Sequence, residues 1–310
     1  MNKKNVQRKH YSLGVVFSLF IVVMSTLVVT AMFVRDNRNN DIQNKIQELG
    51  YGKIETINPL VLEKSNKELD KTTANLDLIS EIERVYNLDI VYGDGTSNLA
   101  KSVQATAIYN ETDVNSILLE LVACLEKYPN NIFKEISLKD YEVEVCIVDH
   151  FENDNIALAT RDSNNNFKIY LSNVDKNSKV KKSVHHEMYH ILEYYMKLEF
   201  DINELYKDWN KYNPKGFVYE ENLALLNNAY VYGLDNVNGS YFVSVYSKVS
   251  DKEDRAEVFA DTMIADTTPG YYNDNLGAIK NKMQLISSAL KSSFYSVDYG
   301  ISIYWTRFFS

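Results

Sequence analysis

Cysteine is nearly absent: the 310 residues hold two, Cys124 and Cys146. Two thiols cannot build a disulfide scaffold or a cysteine-ligated zinc site. Each lies in an apolar run, 117–125 and 143–148, so both read as small buried side chains rather than as a disulfide pair. Proline is scarce too. Four in the whole chain leave no rigid proline-rich linker, and no internal repeat is present. Positive charge is in deficit, with 33 Lys+Arg against 42 Asp+Glu and a net charge of -9. Phosphate binding needs a basic surface, so nucleic acid is excluded as the main partner. Histidine occurs five times, at 10, 150, 185, 186 and 190, and three of these crowd into six residues.

What is present is an ordinary globular balance, 45% hydrophobic and 24% charged, in a chain long enough for one large domain or two small ones. It is preceded by a long apolar run. No charged residue occurs from Tyr11 to Val34, and 13–34 as a helix would be about 33 Å long, enough to cross a bilayer core. Lys3, Lys4, Arg8 and Lys9 precede it, which favours a cytoplasmic N-terminus and an external C-terminal domain. Val29, Met32 and Phe33 crowd any small-x-small cleavage site, and no cysteine follows closely, so an uncleaved anchor is preferred to a signal peptide. The expected organisation is a cytoplasmic tail (1–12), a transmembrane anchor (13–34), a polar stalk (35–71) and one folded domain (72–310).

Within that domain Leu76, Leu78, Ile79, Ile82 and Val85 recur at helical spacing. Strands are expected at 88–92 and 141–149, with a helix at 113–127 between them. Two further strands, 156–161 and 167–172, flank the polar turn Asp162-Ser-Asn-Asn-Asn166 and should form a hairpin. From 178 onward the pattern becomes helical, at 179–200, 218–230, 252–266 and 277–293. A sheet followed by helices predicts an α+β domain.

The chemistry concentrates in His186-Glu187-Met188-Tyr189-His190. Histidines four apart on a helix place both imidazoles on one face, within reach of one zinc ion, and the adjacent glutamate can approach a water on that metal. Neutral imidazoles hold zinc and leave a position open; zinc acidifies the water and the glutamate takes its proton. His185 points about a quarter-turn away and reads as a neighbouring contact. A third ligand is needed. Positions 193 and 196 are Glu193 and Met196, which rules out HExxHxxGxxH, and Glu193 stands about 10 Å along the axis from His186. Glu193 therefore reads as a solvent or salt-bridge residue. The better source is the helix opening at Ser250-Asp-Lys-Glu253. There Ser250 and Glu253 can form a capping box, and Glu253 and Glu257 stack one turn apart. Ala256 and Ala260 permit close approach to the histidine helix. One of the two carboxylates can bind zinc, and one can accept the N–H of a ligating histidine.

The segment from Tyr246 through Glu253 and Glu257 to Ala260 resembles the second active-site motif of the gluzincin peptidases. It is closest to the group that contains the anthrax lethal factor catalytic domain and the Pro-Pro endopeptidases. The resemblance covers residues 140 to 265 and implies a zincin-like metallopeptidase domain, a small mixed sheet followed by active-site helices. It implies that Zn2+ is the cofactor, with His186, His190 and Glu253 as metal ligands and Glu257 behind them. It implies Glu187 as general base and Tyr246 as hydrogen-bond donor to the forming oxyanion. The segments at 242–244 and from Trp209 to Phe217 look like parts of related bacterial zinc-peptidase families. The group often has glycine where this chain has Tyr189, a side chain that could narrow the cleft or change specificity, and residues 201–245 form a long gap suited to a lid or a partner surface. In such families a strand before the histidine helix edges the cleft; 156–161 and 167–172 both qualify here.

The expected function is zinc-dependent hydrolysis of peptide bonds in a peptide or protein substrate, outside the cytoplasmic membrane. Two other readings stay open: a membrane-anchored binding or sensor protein with a structural zinc site, and a zinc hydrolase of non-peptide amides such as a cell-wall component.

Overall fold

The computed structural model describes residues 40, 44, 55–67, 70–153, 155–173, 178–221, 241–265, 277–298 and 303–308. The chain divides into two compact units, Met1–Tyr51 and Gly52–Ser310, and all that follows concerns the second. The expected anchor at 13–34 and most of the 218–230 helix lie outside the described residues. Among the described residues no helix is long and apolar enough to cross a membrane.

The second unit is α+β. It begins with helix α1 (Pro59–Lys67) and helix α2 (Lys71–Tyr86). Asp70 caps α2 by accepting from the Thr73 N–H, and Asn87 closes it in the left-handed region at φ 56°. Composition assigns α1 to the stalk, but it packs on the domain. Ile57 and Ser65 are buried, and Asn115 Nδ2 donates to both Ser65 Oγ (2.7 Å) and Asn75 Oδ1 (2.8 Å). A polar stretch of sequence therefore hides a buried amide network that ties α1 and α2 to helix α4 (Glu111–Leu125).

The sheet has five strands: β1 (Asp89–Val91), β2 (Ala105–Ala107), β3 (Val143–Phe151), β4 (Ala157–Arg161) and β5 (Phe167–Ser172). Their order is β1-β3-β5-β4, with β2 antiparallel to the far end of β3. β3 is parallel to both β1 and β5, while β4 is antiparallel to β5. The predicted hairpin is thus present. Asp162 accepts from the N–H groups of Asn164 (2.8 Å) and Asn166 (2.9 Å), and Asn165 takes φ 65°, as an Asx turn allows. β5 is buried at five of six positions and lies inside the sheet, which leaves β4 as the edge.

One face of the sheet carries the main core, built with α2, α4, α5 (Ile132–Ser137) and α6 (Ser178–Glu199). The other face carries a small cluster of Ala100, Ala105, Cys146, Val148, Phe151 and Tyr170 beneath α3 (Ser97–Ser102). Cys124 and Cys146 are both buried and form no disulfide, as read from their surroundings. After α6 come α7 (Ile202–Leu205), α8 (Asp251–Ile264), α9 (Gly277–Ser293) and α10 (Tyr295–Asp298), with single 3-10 turns at Trp209–Tyr212, Tyr246–Lys248 and Tyr304–Phe308.

The described part of the 201–245 gap packs on the domain. Tyr206, Trp209 and Phe242 are buried, and the Phe217 ring packs tilted against that of Phe242, centroids 4.6 Å apart. The Pro214-to-Phe217 turn closes through Gly216 at φ 79°, a conformation that favours glycine.

Candidate metal centre

Helix α6 has two working faces. Val184, Met188, Ile191, Leu192 and Tyr195 recur at three- and four-residue spacing and are buried in the core. The adjacent stripe is Lys182, His186, His190 and Glu193, and it faces α8. Across the seam α8 presents Glu253, Glu257 and Asp261, each one turn from the next. Ala256 and Ala260 are wholly buried between the helices, as their size allows. Ser250 caps α8, accepting from the Glu253 N–H at 3.2 Å. Only this half of the expected capping box is made. The Glu253 carboxylate turns instead to the histidines.

His186 Nε2 and His190 Nε2 are 3.0 Å apart. Glu253 Oε2 lies 3.0 Å from the first and 3.3 Å from the second. Behind His186, its Nδ1 is 3.0 Å from Glu257 Oε1. If Nδ1 carries the hydrogen donated to Glu257, Nε2 is a bare lone pair. Three lone pairs then converge on one point, an arrangement that repels itself unless a positive charge sits among them. A tetrahedral zinc with ligand bonds of 2.0–2.1 Å would hold its ligand atoms about 3.3 Å apart. The donor set, its spacing and its burial therefore fit a zinc ion.

The electrostatics carry the same mark. Burial pulls the His186 imidazolium down, but hydrogen bonds to Glu253 and Glu257 and the Glu187 charge outweigh it, raising the pKa to about 10. Burial and the neighbouring His186 charge drive His190 down to about 3 against the Glu253 hydrogen bond. Burial raises Glu253, yet its two histidine partners bring it well below the usual carboxylate range. Glu257 is likewise raised by burial but lowered more, to about 2, by His186 and Lys182.

Glu187 is on the same helix, turned toward the sheet edge, and its Oε2 accepts the Ala159 N–H of β4 at 2.7 Å. Burial raises its pKa, partly offset by the His186 charge. In the β4–β5 ladder the bonded positions are Ile156, opposite Ser172, and Asp162, opposite Asn166. Ladder bonding alternates, so the main-chain groups of Ala157, Ala159 and Arg161 face the open edge beside Glu187. Tyr246 lies half-buried in its 3-10 turn with its ring 6.0 Å from that of His186.

Every residue singled out for the site thus gathers here: His186, Glu187, His190, Tyr246, Glu253 and Glu257. His185 does not face it; His185 Nδ1 is 2.9 Å from Tyr128 OH on the core side. Tyr189 does not narrow the cleft. It is buried in the core against Phe259, with its OH 2.5 Å from Tyr206 OH. Glu193 is not a solvent residue: its side chain is fully buried and paired with Arg255 Nε at 2.6 Å, clamping α6 to α8.

Sequence reasoning missed three features. Lys182 pairs with Glu257; its spacing four residues before His186 was the available signal. Lys252 donates to Tyr194 OH at 3.1 Å, and the Tyr194 ring stacks near that of His190. Asp254 is a buried hub that accepts from Lys282 (2.7 Å), Tyr219 (2.8 Å) and Trp209 (3.1 Å), and so anchors the start of α8.

No family model matches the chain, and no curated protein does. A solved structure from Bacteroides caccae, described as a candidate zinc-binding metallo-peptidase, is similar at 17% identity and a TM-score of 0.47. The match covers 77% of this chain and 90% of that one. A likeness that distant carries no argument about the site.

Proposed function

We propose that this chain is a zinc-dependent endopeptidase of gluzincin type, anchored by 13–34 and acting on peptides or proteins outside the cytoplasmic membrane. The observation that carries the reading is the convergence of His186 Nε2, His190 Nε2 and Glu253 Oε2 within 3.3 Å of one another. These three residues would hold the metal. A bound zinc ion would supply Lewis acidity toward a water molecule and the scissile carbonyl.

The protein's own residues supply the rest. Glu187 accepts the proton of the attacking water and returns it to the leaving amine. The open side of β4 offers main-chain donors and acceptors at Ala157 and Arg161 and the carbonyl of Ala159, whose N–H is held by Glu187, and on these an extended substrate can pair as an added strand. That pairing would place the scissile bond beside Glu187, because Ala159 already touches it. Tyr246 donates to the oxyanion as it forms. Its place seven residues before Glu253, with Glu257 four after, resembles the lethal factor and Pro-Pro endopeptidase group.

The test is zinc content and hydrolysis of a mixed peptide library by the purified protein. One zinc per chain and cleavage are expected, both lost with a chelator such as 1,10-phenanthroline and both restored by zinc. A folded protein that takes up no added zinc sinks the reading. Tyr246→Phe is expected to lower kcat by about 10²-fold with zinc content unchanged, the scale of losing one oxyanion donor. An unaltered kcat in that variant removes Tyr246 from the mechanism.

A further inference from the structure

We propose that Lys182 is a positioning residue of the metal site, holding the Glu257 carboxylate so that it fixes the orientation of His186. The inference rests on the reading of His186 as a zinc ligand.

Lys182 stands one helical turn before His186 on the same stripe of α6. Its Nζ is 3.0 Å from Glu257 Oε2 and 3.6 Å from Asp261 Oδ1. The other oxygen of the same carboxylate, Oε1, is 3.0 Å from His186 Nδ1. Oε2 of Glu257 thus meets the ammonium and Oε1 the imidazole, with the Ser244 hydroxyl as a further hydrogen-bond partner of the carboxylate. A carboxylate held by a single hydrogen bond can turn about its last bond; one held at both oxygens has its plane fixed. The imidazole it meets is then fixed in tautomer and ring angle, as metal-ligating histidines require.

Stability does not account for this lysine. Its side chain and that of Glu257 are almost fully buried, at 5% and 6% exposure. Buried ion pairs contribute little net stability, and apolar residues of similar size often do as well or better. The seam between α6 and α8 is already held by the buried Glu193–Arg255 pair and by the close packing of Ala256 and Ala260. What an apolar residue could not do is hold Glu257 Oε2 while Oε1 meets His186. Asp261, on the far side of the ammonium, keeps Lys182 in place from the following turn of α8.

The experiment measures zinc affinity by competition with a chelating dye, and the visible spectrum of the cobalt(II) form, in the full-length protein. Lys182→Met is expected to weaken zinc about 10–100-fold, the usual cost of losing an outer-shell partner, and to shift the cobalt bands. Lys182→Arg should restore most of the affinity, since it keeps the charge. In a Glu257→Gln background Lys182→Met should have little further effect, because the two act as one unit. Wild-type or tighter zinc binding by Lys182→Met overturns the proposal, as does an equal loss in the Glu257→Gln background. If Lys182→Met does not fold, Lys182→Gln is judged by the same two comparisons. A wild-type protein that binds no zinc fails the peptidase reading itself. Zinc bound normally by both wild type and the Lys182 variants fails this inference alone.

Discussion

Glu187→Gln is expected to keep one zinc per chain and to lose peptide hydrolysis by about 10²–10⁴-fold, the range set by removal of a general base. The substitution is nearly isosteric, and the amide oxygen can still accept the Ala159 N–H that Glu187 Oε2 takes at 2.7 Å. Packing and the edge of the sheet are therefore preserved. What is lost is a group that can take a proton. The environment suits that task, since burial raises Glu187 above the ordinary carboxylate range while the His186 charge limits the rise. The same variant separates the peptidase from a protein that keeps zinc for structure alone, because a structural site has no chemical use for Glu187. Retained zinc with full activity would place the base elsewhere. Lost zinc would mean that Glu187 shapes the metal site rather than the reaction.

How far the site could be read from sequence depended on whether each residue's partner lay within a turn or two along the chain. His186 and His190 are four apart, so a helix alone places them together. Glu253 and Glu257 are placed in the same way, and the small size of Ala256 and Ala260 foretold the close approach of α8. Contacts made across the fold left no such trace. Arg255 and Glu193 meet from positions 62 apart, and nothing local in either sequence marks the pair. The same holds for Lys282 with Asp254, and for Ser65 with Asn115, where polarity suggested a stalk and tertiary structure buried the groups instead. Glu253 shows one principle overruling another. Local rules assigned it to a capping box, but its carboxylate faces the two imidazoles of α6 instead of the Ser250 N–H. The edge strand is an intermediate case. β5 is apolar almost throughout and β4 ends in Thr160 and Arg161, a difference that marks centre and edge once the strands are known to pair.

Zinc uptake by the metal-free protein at pH 7 is expected to release about one proton per ion, and Glu253→Ala to bind zinc at least about 100-fold more weakly, exceeding the loss of an outer partner. The first expectation follows from the converging lone pairs. Without metal the point among them is held by a proton on His186, whose pKa stands near 10. That value lies above the ordinary one of about 6.5. The stabilisation from this proton is therefore fully present below pH 6.5 and is lost as pH rises through 10. Zinc needs the neutral imidazole and must displace it, so affinity should fall about tenfold for each unit of acidification below pH 10. His190, pushed down to about 3, is already neutral at pH 7 and has no second proton to give. Calorimetric titrations in buffers of different ionisation heat count the protons directly. A count near one supports the assignment, two would mean that both imidazoles are charged, and none would mean that His186 is neutral and the lone-pair account fails. Glu253→Ala takes away the hydrogen-bond partner that does most to raise His186. It should therefore lower the proton count together with the affinity, a coupling that general unfolding of the variant would not produce.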